Sequence, residues 1–177
     1  MMQNAAALPL LPFLDRGVTQ VGWVVEDLDQ AVEEQYRIFG AGPWHFYRYG
    51  RPLLSMMRRN GKDAEYSMDV AVANAGATRL ELIQPLSGDT VFHEFASHNG
   101  YGKVHHFGLA VDNMQEALAI VRKAGIRVTM EGGGYGPDGD GHFAFLETES
   151  LVGITLELME RPKRRHPPRK IYPHPDQ

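Results

Sequence analysis

Two stretches of this chain repeat one another, and the repeat limits the fold more than any local propensity, because each copy must be built from the same elements. The run Gln20 to Ala31 aligns without gaps on His106 to Ala117. In both, apolar and polar residues alternate and then give way to helical spacing. Val21, Trp23 and Val25 share one strand face, as do Phe107, Leu109 and Val111; Gln20, Gly22 and Val24 share the other, as do His106, Gly108 and Ala110. Asp27 and Asp112 are placed to cap the helices that follow, and Gly40 and Gly125 to end them. A second pair repeats as well. Arg79 to Ile83 aligns on Thr155 to Met159, which makes Glu81 and Glu157 equivalents.

Between these markers each half has room for two further strands, Trp44 to Tyr49 and Glu65 to Ala73 in the first, Arg127 to Glu131 and His142 to Thr148 in the second. Asp89 to Asn99 has helical spacing of Val91, Phe92, Phe95 and Ala96 and ends at Gly100, which predicts a short linking helix. The expected fold class is therefore α+β, with two tandem βαβββ modules. The domain reading is an N-terminal extension at 1–16, a first module with its linking helix at 17–100, a second module at 101–160 and a basic, Pro-rich tail at 161–177.

Two such modules related by a pseudo-twofold axis would turn equivalent strand faces toward each other, so that Gln20, Glu81, His106 and Glu157 converge. Gly22, Gly108 and Ala110 on the same faces leave space beside them. Two converging carboxylates repel unless a cation or protons neutralise them. One imidazole, one amide and two carboxylates suit a divalent ion such as zinc, nickel, cobalt, manganese or iron(II). Taken singly, each residue has an ordinary alternative as a solvated strand residue or a hydrogen-bonded histidine; the joint placement is what points to metal. Alternation sends His105 to the opposite face, as a structural residue.

Charge and composition narrow the function. The 177 residues carry no cysteine, which excludes disulfides, thiolate metal sites and a cysteine nucleophile, and fits a cytoplasmic location. The apolar stretch Ala5 to Leu14 is broken by Pro9 and Pro12, which predicts neither a membrane span nor a signal peptide. Six of the 18 basic residues fall between Arg161 and Lys170, leaving residues 1–160 with 12 basic and 21 acidic residues. That acidic body argues against nucleic-acid binding. The tail is either solvated or an arm laid across an acidic neighbour, and its prolines exclude a helix or a central strand.

Other motifs fail on context. Gly134 to Gly139 spells a dinucleotide-type glycine pattern but leads into a strand; it is expected to be a flexible turn, within Gly132 to Gly141, that covers the site. His93 and His98 are one residue too far apart for a helical zinc motif. Arg48, Arg51, Arg58, Arg59 and Lys62 surround the loop after the second strand and could receive an anionic group or form a solvated hairpin. Arg48, Arg51 and Tyr135 are the candidate substrate-binding residues. Trp44, Phe46, Tyr47 and Tyr49 either line a cleft or pack.

The runs QVG at Gln20, LELIQPL from Leu80, HHFGLAV from His105 and LEL at Leu156 resemble the vicinal oxygen chelate superfamily of glyoxalase I, methylmalonyl-CoA epimerase, extradiol dioxygenases and the bleomycin and fosfomycin resistance proteins, over residues 17–160. The resemblance implies a curved mixed sheet around a central cleft, a divalent metal ion held by Gln20, Glu81, His106 and Glu157, a small-molecule substrate and a homodimer. The stretch Leu82 to Pro85, the following helix, Asn99-Gly100 and the double histidine are most similar to methylmalonyl-CoA epimerases. Those enzymes usually carry histidine where this chain has Gln20, and the Gln, Glu, His, Glu set is similar to eukaryotic glyoxalase I. The implied activity is an isomerase or lyase acting through an enolate next to a carbonyl, with Glu157 as base and Glu81 as the symmetric second acid. A lactoylglutathione lyase and a non-catalytic small-molecule-binding protein of the resistance type are the alternatives.

Overall fold

The computed structural model describes residues 9–174, so the first half of the expected N-terminal extension, residues 1–8, and the end of the basic tail, residues 175–177, lie outside the described residues. The first half contains β1 (Gln20–Val24), α1 (Leu28–Phe39), β2 (Trp44–Tyr49), the short strands β3 (Met56–Arg59) and β4 (Lys62–Asp63), then β5 (Ser67–Ala75) and β6 (Thr78–Ser87). The connecting helix α2 (Val91–Asn99) leads to β7 (Lys103–Ala110), α3 (Met114–Lys123), β8 (Val128–Gly133), β9 (His142–Leu146), the single turn α4 (Glu149–Val152), β10 (Thr155–Glu160) and β11 (Lys170–Tyr172). All strands join one curled mixed sheet in the order β11-β2-β5-β6-β1-β7-β10-β9-β8-β3-β4. Among the described residues no helix is long and apolar enough to cross a membrane.

The two halves meet where β1 runs antiparallel to β7, with Gln20 opposite Gly108 and Gly22 opposite His106. Each of these strands pairs in parallel with the last strand of its own half, Gly22 with Glu81 and Gly108 with Glu157. Four equivalent strands therefore form the middle of the sheet. Alternation distributes the side chains: Ala71, Ala73 and Leu82 pack outward with Leu28 and Val32 of α1, while Val70, Val72 and Ile83 face inward with Phe92, Phe143 and Phe145. On the other half, Leu118 and Val121 of α3 cover Leu109, Ala144 and Leu158. Each Val, Leu, Ile or Phe side chain among them, removed from water, contributes about 1.5–3 kcal/mol before entropy is charged against it.

Several details differ from the sequence expectation. The Asp27 carboxylate caps α1, accepting from the Gln30 backbone N–H at 2.9 Å, but α3 is capped by Asn113; Asp112 lies 2.6 Å from Arg16 instead. The arginine-rich loop after β2 contains the β3–β4 hairpin, and β3 crosses to the other half to pair with β8, Met57 opposite Gly132. The segment lacks a continuous alternating run, so its strand character comes from the partner edge.

The reading of a solvated tail is corrected. β11 adds to the edge of β2, Lys170 opposite Phe46, and prolines are tolerated at such an edge. Arg164 pairs with Asp138 at 2.5 Å, Arg169 with Asp69 at 3.1 Å, and Lys170 with Asp29. The acidic body attracts its own basic tail, and the arm alternative holds within one chain.

Candidate metal centre and its cavity

The inner faces of β1, β6, β7 and β10 bring Gln20, Glu81, His106 and Glu157 together inside one chain. The relative exposures of Gln20, His106 and Glu157 are 1%, 0% and 4%. The His106 Nε2 atom lies 3.3 Å from Glu81 Oε2 and 3.4 Å from Glu157 Oε2. The Gln20 amide nitrogen donates to the same two oxygens, at 3.0 and 2.9 Å. One potential ligand atom from each of Glu81, His106 and Glu157 lies within 4.8 Å of the others. Ligands bound at about 2.1 Å are separated by roughly 3.0–3.4 Å at octahedral or tetrahedral angles, which is the spacing found here. His106 Nε2 is also buried without a hydrogen-bond partner. A buried imidazole nitrogen lacking such a partner, facing two carboxylates at coordination-edge distances, fits a divalent cation; a turn of the Gln20 amide would offer its oxygen as a fourth ligand.

Glycines create this space. A Cβ added at Gly22 would stand 2.0 Å from His106 Cε1, and one at Gly108 would stand 2.7 Å from Gln20 Cβ and 3.2 Å from Glu157 Oε2. Neither glycine has a left-handed φ, so the lack of a side chain, rather than backbone freedom, is what the site uses.

His105 is not on the opposite face in the sense that alternation predicts. The β1–β7 register shifts between Gly22 and Trp23, so that Gly22 faces His106 and Trp23 faces Val104, and His105 is the extra residue of a bulge. The bulge turns His105 so that its Nδ1 and that of His106 form a 3.0 Å hydrogen bond. Phe92, Phe95 and Phe145 surround the ring at centroid distances of 5.1, 4.9 and 5.7 Å. Burial, reinforced by His106, drives the His105 pKa well below the ordinary imidazole value, so that this ring is neutral. For His106 burial alone acts downward, but the Glu157 and Glu81 carboxylates outweigh it and lift the value to about 9. Burial pushes Glu157 upward; His106 opposes the shift, Glu81 adds to it, and the net direction is up.

A cavity of about 450 Å³, including its open mouth, extends from this cluster. Tyr49, Tyr135, Phe143 and Phe145 form its aromatic wall, and Arg79 and Arg165 also line it. Burial raises the phenols of Tyr49 and Tyr135, keeping both neutral. Tyr135 donates to the Glu160 carbonyl at 3.3 Å, and its loop is held by hydrogen bonds from Gly134 N to Gly141 O and from Gly136 N to Asp140 O, both 2.8 Å. The segment expected to be a flexible turn is thus tied down. Arg48 and Arg51 do not line the cavity: Arg48 makes a two-pronged pair with Asp69, and Arg51 binds Glu65 and the carbonyls of Leu54 and Ser55. Of the four aromatic residues near β2, Tyr49 reaches the cavity, whereas Trp44 and Phe46 pack beneath α1 and Tyr47 joins the inner core. Arg79 was legible in principle, two residues before Glu81 on the same strand face; Arg165 had no local signal.

Residues 19–145 match the family model of the glyoxalase/bleomycin resistance protein/dioxygenase superfamily. The chain is 31% identical over 94 residues to mitochondrial methylmalonyl-CoA epimerase of Bos taurus, and 32% identical over 94 residues to that of Homo sapiens; each match covers 53% of this chain and 53% of the relative. The chain thus spans about half the length of the curated relatives it matches. Among solved structures, methylmalonyl-CoA epimerase of Streptomyces coelicolor in complex with 2-nitronate-propionyl-CoA has a TM-score of 0.56 at 23% identity, covering 85% of this chain and 97% of that one. The Mycobacterium tuberculosis methylmalonyl-CoA epimerase has a TM-score of 0.54 at 19% identity, covering 84% and 87%. These structural likenesses show the shared curled-sheet fold.

Proposed function

The chain belongs to the glyoxalase/bleomycin resistance protein/dioxygenase superfamily, and from that premise we propose that it is a divalent-metal-dependent epimerase of a 2-substituted acyl thioester, similar to methylmalonyl-CoA epimerase. The observation that carries the reading is the pseudo-symmetric pair of carboxylates, Glu81 and Glu157, on either side of one buried imidazole and bridged by one amide. Epimerisation requires a proton to leave one face of a carbon and return to the other. Two equivalent carboxylates supplied by the two halves of an internal repeat suit that requirement.

Gln20, Glu81, His106 and Glu157 would hold the cation. When bound, the cation supplies Lewis acidity that stabilises negative charge developing on a substrate carbonyl oxygen. Glu157 takes the proton from the carbon next to that carbonyl, leaving an enolate. Glu81, the equivalent carboxylate of the first half, is the symmetric candidate for the acid that returns a proton to the opposite face. The aromatic wall of Tyr49, Tyr135 and Phe143 restricts water around the reacting carbon.

The test is solvent deuterium incorporation by metal-loaded protein. Methylmalonyl-CoA is expected to exchange its C2 proton, and Glu157→Gln is expected to slow exchange by about 10²–10⁴-fold, the usual contribution of a positioned acid or base. Exchange into a glutathione hemithioacetal but not the thioester would replace the epimerase reading with a glyoxalase one. Exchange into neither, with ligand binding intact, would favour a sequestering protein.

A further inference from the structure

Outside the carboxylate–imidazole cluster, the cavity carries two cations that are not in ion pairs among the described residues, Arg79 of β6 and Arg165 of the C-terminal arm. Their situation contrasts with that of their neighbours on the arm. Arg164, Arg169 and Lys170 are each committed to an aspartate on the body, and the Lys163 backbone N–H donates to Asp140 at 2.8 Å. These contacts lie on both sides of Arg165 in sequence and fix the arm beside the cavity, which Arg165 lines. Arg79 is half-buried. Both guanidinium groups line one cavity and neither is in an ion pair among the described residues, so an anion bound between them could accept hydrogen bonds from both.

We propose that Arg79 and Arg165 form an anion clamp for a carboxylate carried by the substrate, and that the C-terminal arm is therefore a specificity element of the site. The inference rests on the function proposed above for its choice of substrate. Arg79 and Glu81 share one face of β6 at positions i and i+2, about 6.7 Å apart along the strand. A group held by Arg79 thus lies within a few bonds of the carbon that Glu81 and Glu157 address. A carboxylate attached to that carbon meets this spacing, whereas a phosphate at the far end of a long carrier does not. Guanidinium groups also match the planar, two-oxygen geometry of a carboxylate. The arm that carries Arg165 lies outside the residues 19–145 that match the family model, whereas Arg79 lies within them.

The experiment is calorimetric binding of methylmalonate and, separately, of inorganic phosphate to zinc-loaded full-length protein, with zinc content verified for every variant. Arg165→Gln and Arg79→Gln are each expected to weaken methylmalonate binding by about 10- to 100-fold, as the loss of one charge-assisted pair implies. Asp138→Asn, which unpins Arg164 while leaving Arg165 in place, is expected to weaken binding by a smaller factor. Lys123→Gln on α3, which makes the same change in net charge as either arginine substitution, is expected to change nothing. Unaltered methylmalonate affinity in Arg165→Gln overturns the clamp, as does a site that binds phosphate and ignores methylmalonate. Failure of deuterium exchange with the arginine dependence intact would remove the epimerase reading and leave the clamp standing; exchange without arginine dependence would do the reverse.

Discussion

Replacing Gly22 by alanine puts a methyl group where the His106 ring already sits. The added carbon would stand 2.0 Å from Cε1, 2.3 Å from Nε2 and 2.7 Å from Nδ1. Non-bonded carbons come to rest at about 3.5–4.0 Å, so the ring would have to retreat by roughly 1.5 Å or more. It has nowhere to go: His106 is fully buried, with Phe145 and His105 at centroid distances of 5.0 and 5.2 Å. Overpacking of this kind costs about 1–3 kcal/mol. In a His106→Ala background the same methyl group enters vacated space, and the cost should fall below about 0.5 kcal/mol or become a slight gain from the reduced freedom of the unfolded chain. Urea unfolding of the four proteins in a chelating buffer measures the cycle without any metal contribution. A coupling energy of about 1–3 kcal/mol is expected. Equal costs of Gly22→Ala in both backgrounds, additive to within about 0.5 kcal/mol, would refute the reasoning that Gly22 exists to seat the imidazole.

Other consequences follow from the same cluster. The folded-state pKa of His106 is raised to about 9 from 6.5, so in metal-free protein its contribution to stability is fully present below pH 6.5 and lost as pH rises through about 9. A metal must displace that proton, and its affinity should therefore rise about tenfold per pH unit up to about pH 9 and then level off, as competition titration with a chelator will show. A flat profile between pH 7 and 8.5 would contradict the assignment of His106 as ligand. His105→Phe keeps the ring volume among Phe92, Phe95 and Phe145 but removes the Nδ1 contact that orients His106; metal affinity is expected to fall by about 10- to 100-fold with little change in unfolding midpoint. Retained affinity would show that the pairing of the two rings is incidental.

How much was legible in the sequence depends on whether a residue's partners are local or repeated. The repeat placed Gln20, Glu81, His106 and Glu157 on matching strand faces, because alternation in β1, β6, β7 and β10 is regular enough to count along. Counting fails at the bulge, where one extra residue turns His105 toward His106, and no composition rule announces that residue. The hairpin alternative at β3–β4 holds, but its pairing with β8, and β11 itself, were missed for a related reason: the hydrogen-bonding partners, β8 and β2, lie far away in sequence, and neither segment carries an alternating pattern of its own. Arg48 and Arg51 drew attention as a cluster of charge, yet Asp69 and Glu65 neutralise them in place. The cavity's cations come instead from one strand position beside Glu81 and from an arm whose docking depends on scattered aspartates.

Metal stoichiometry in protein purified without chelator tests the central claim most directly. One divalent ion per chain is expected by elemental analysis in the wild type, falling to a small fraction of that in His106→Ala and in Glu81→Gln/Glu157→Gln. Wild-type protein that stays metal-free when equilibrated with micromolar zinc, nickel, cobalt, manganese and iron(II) in turn, or variants that keep a full complement, would contradict it.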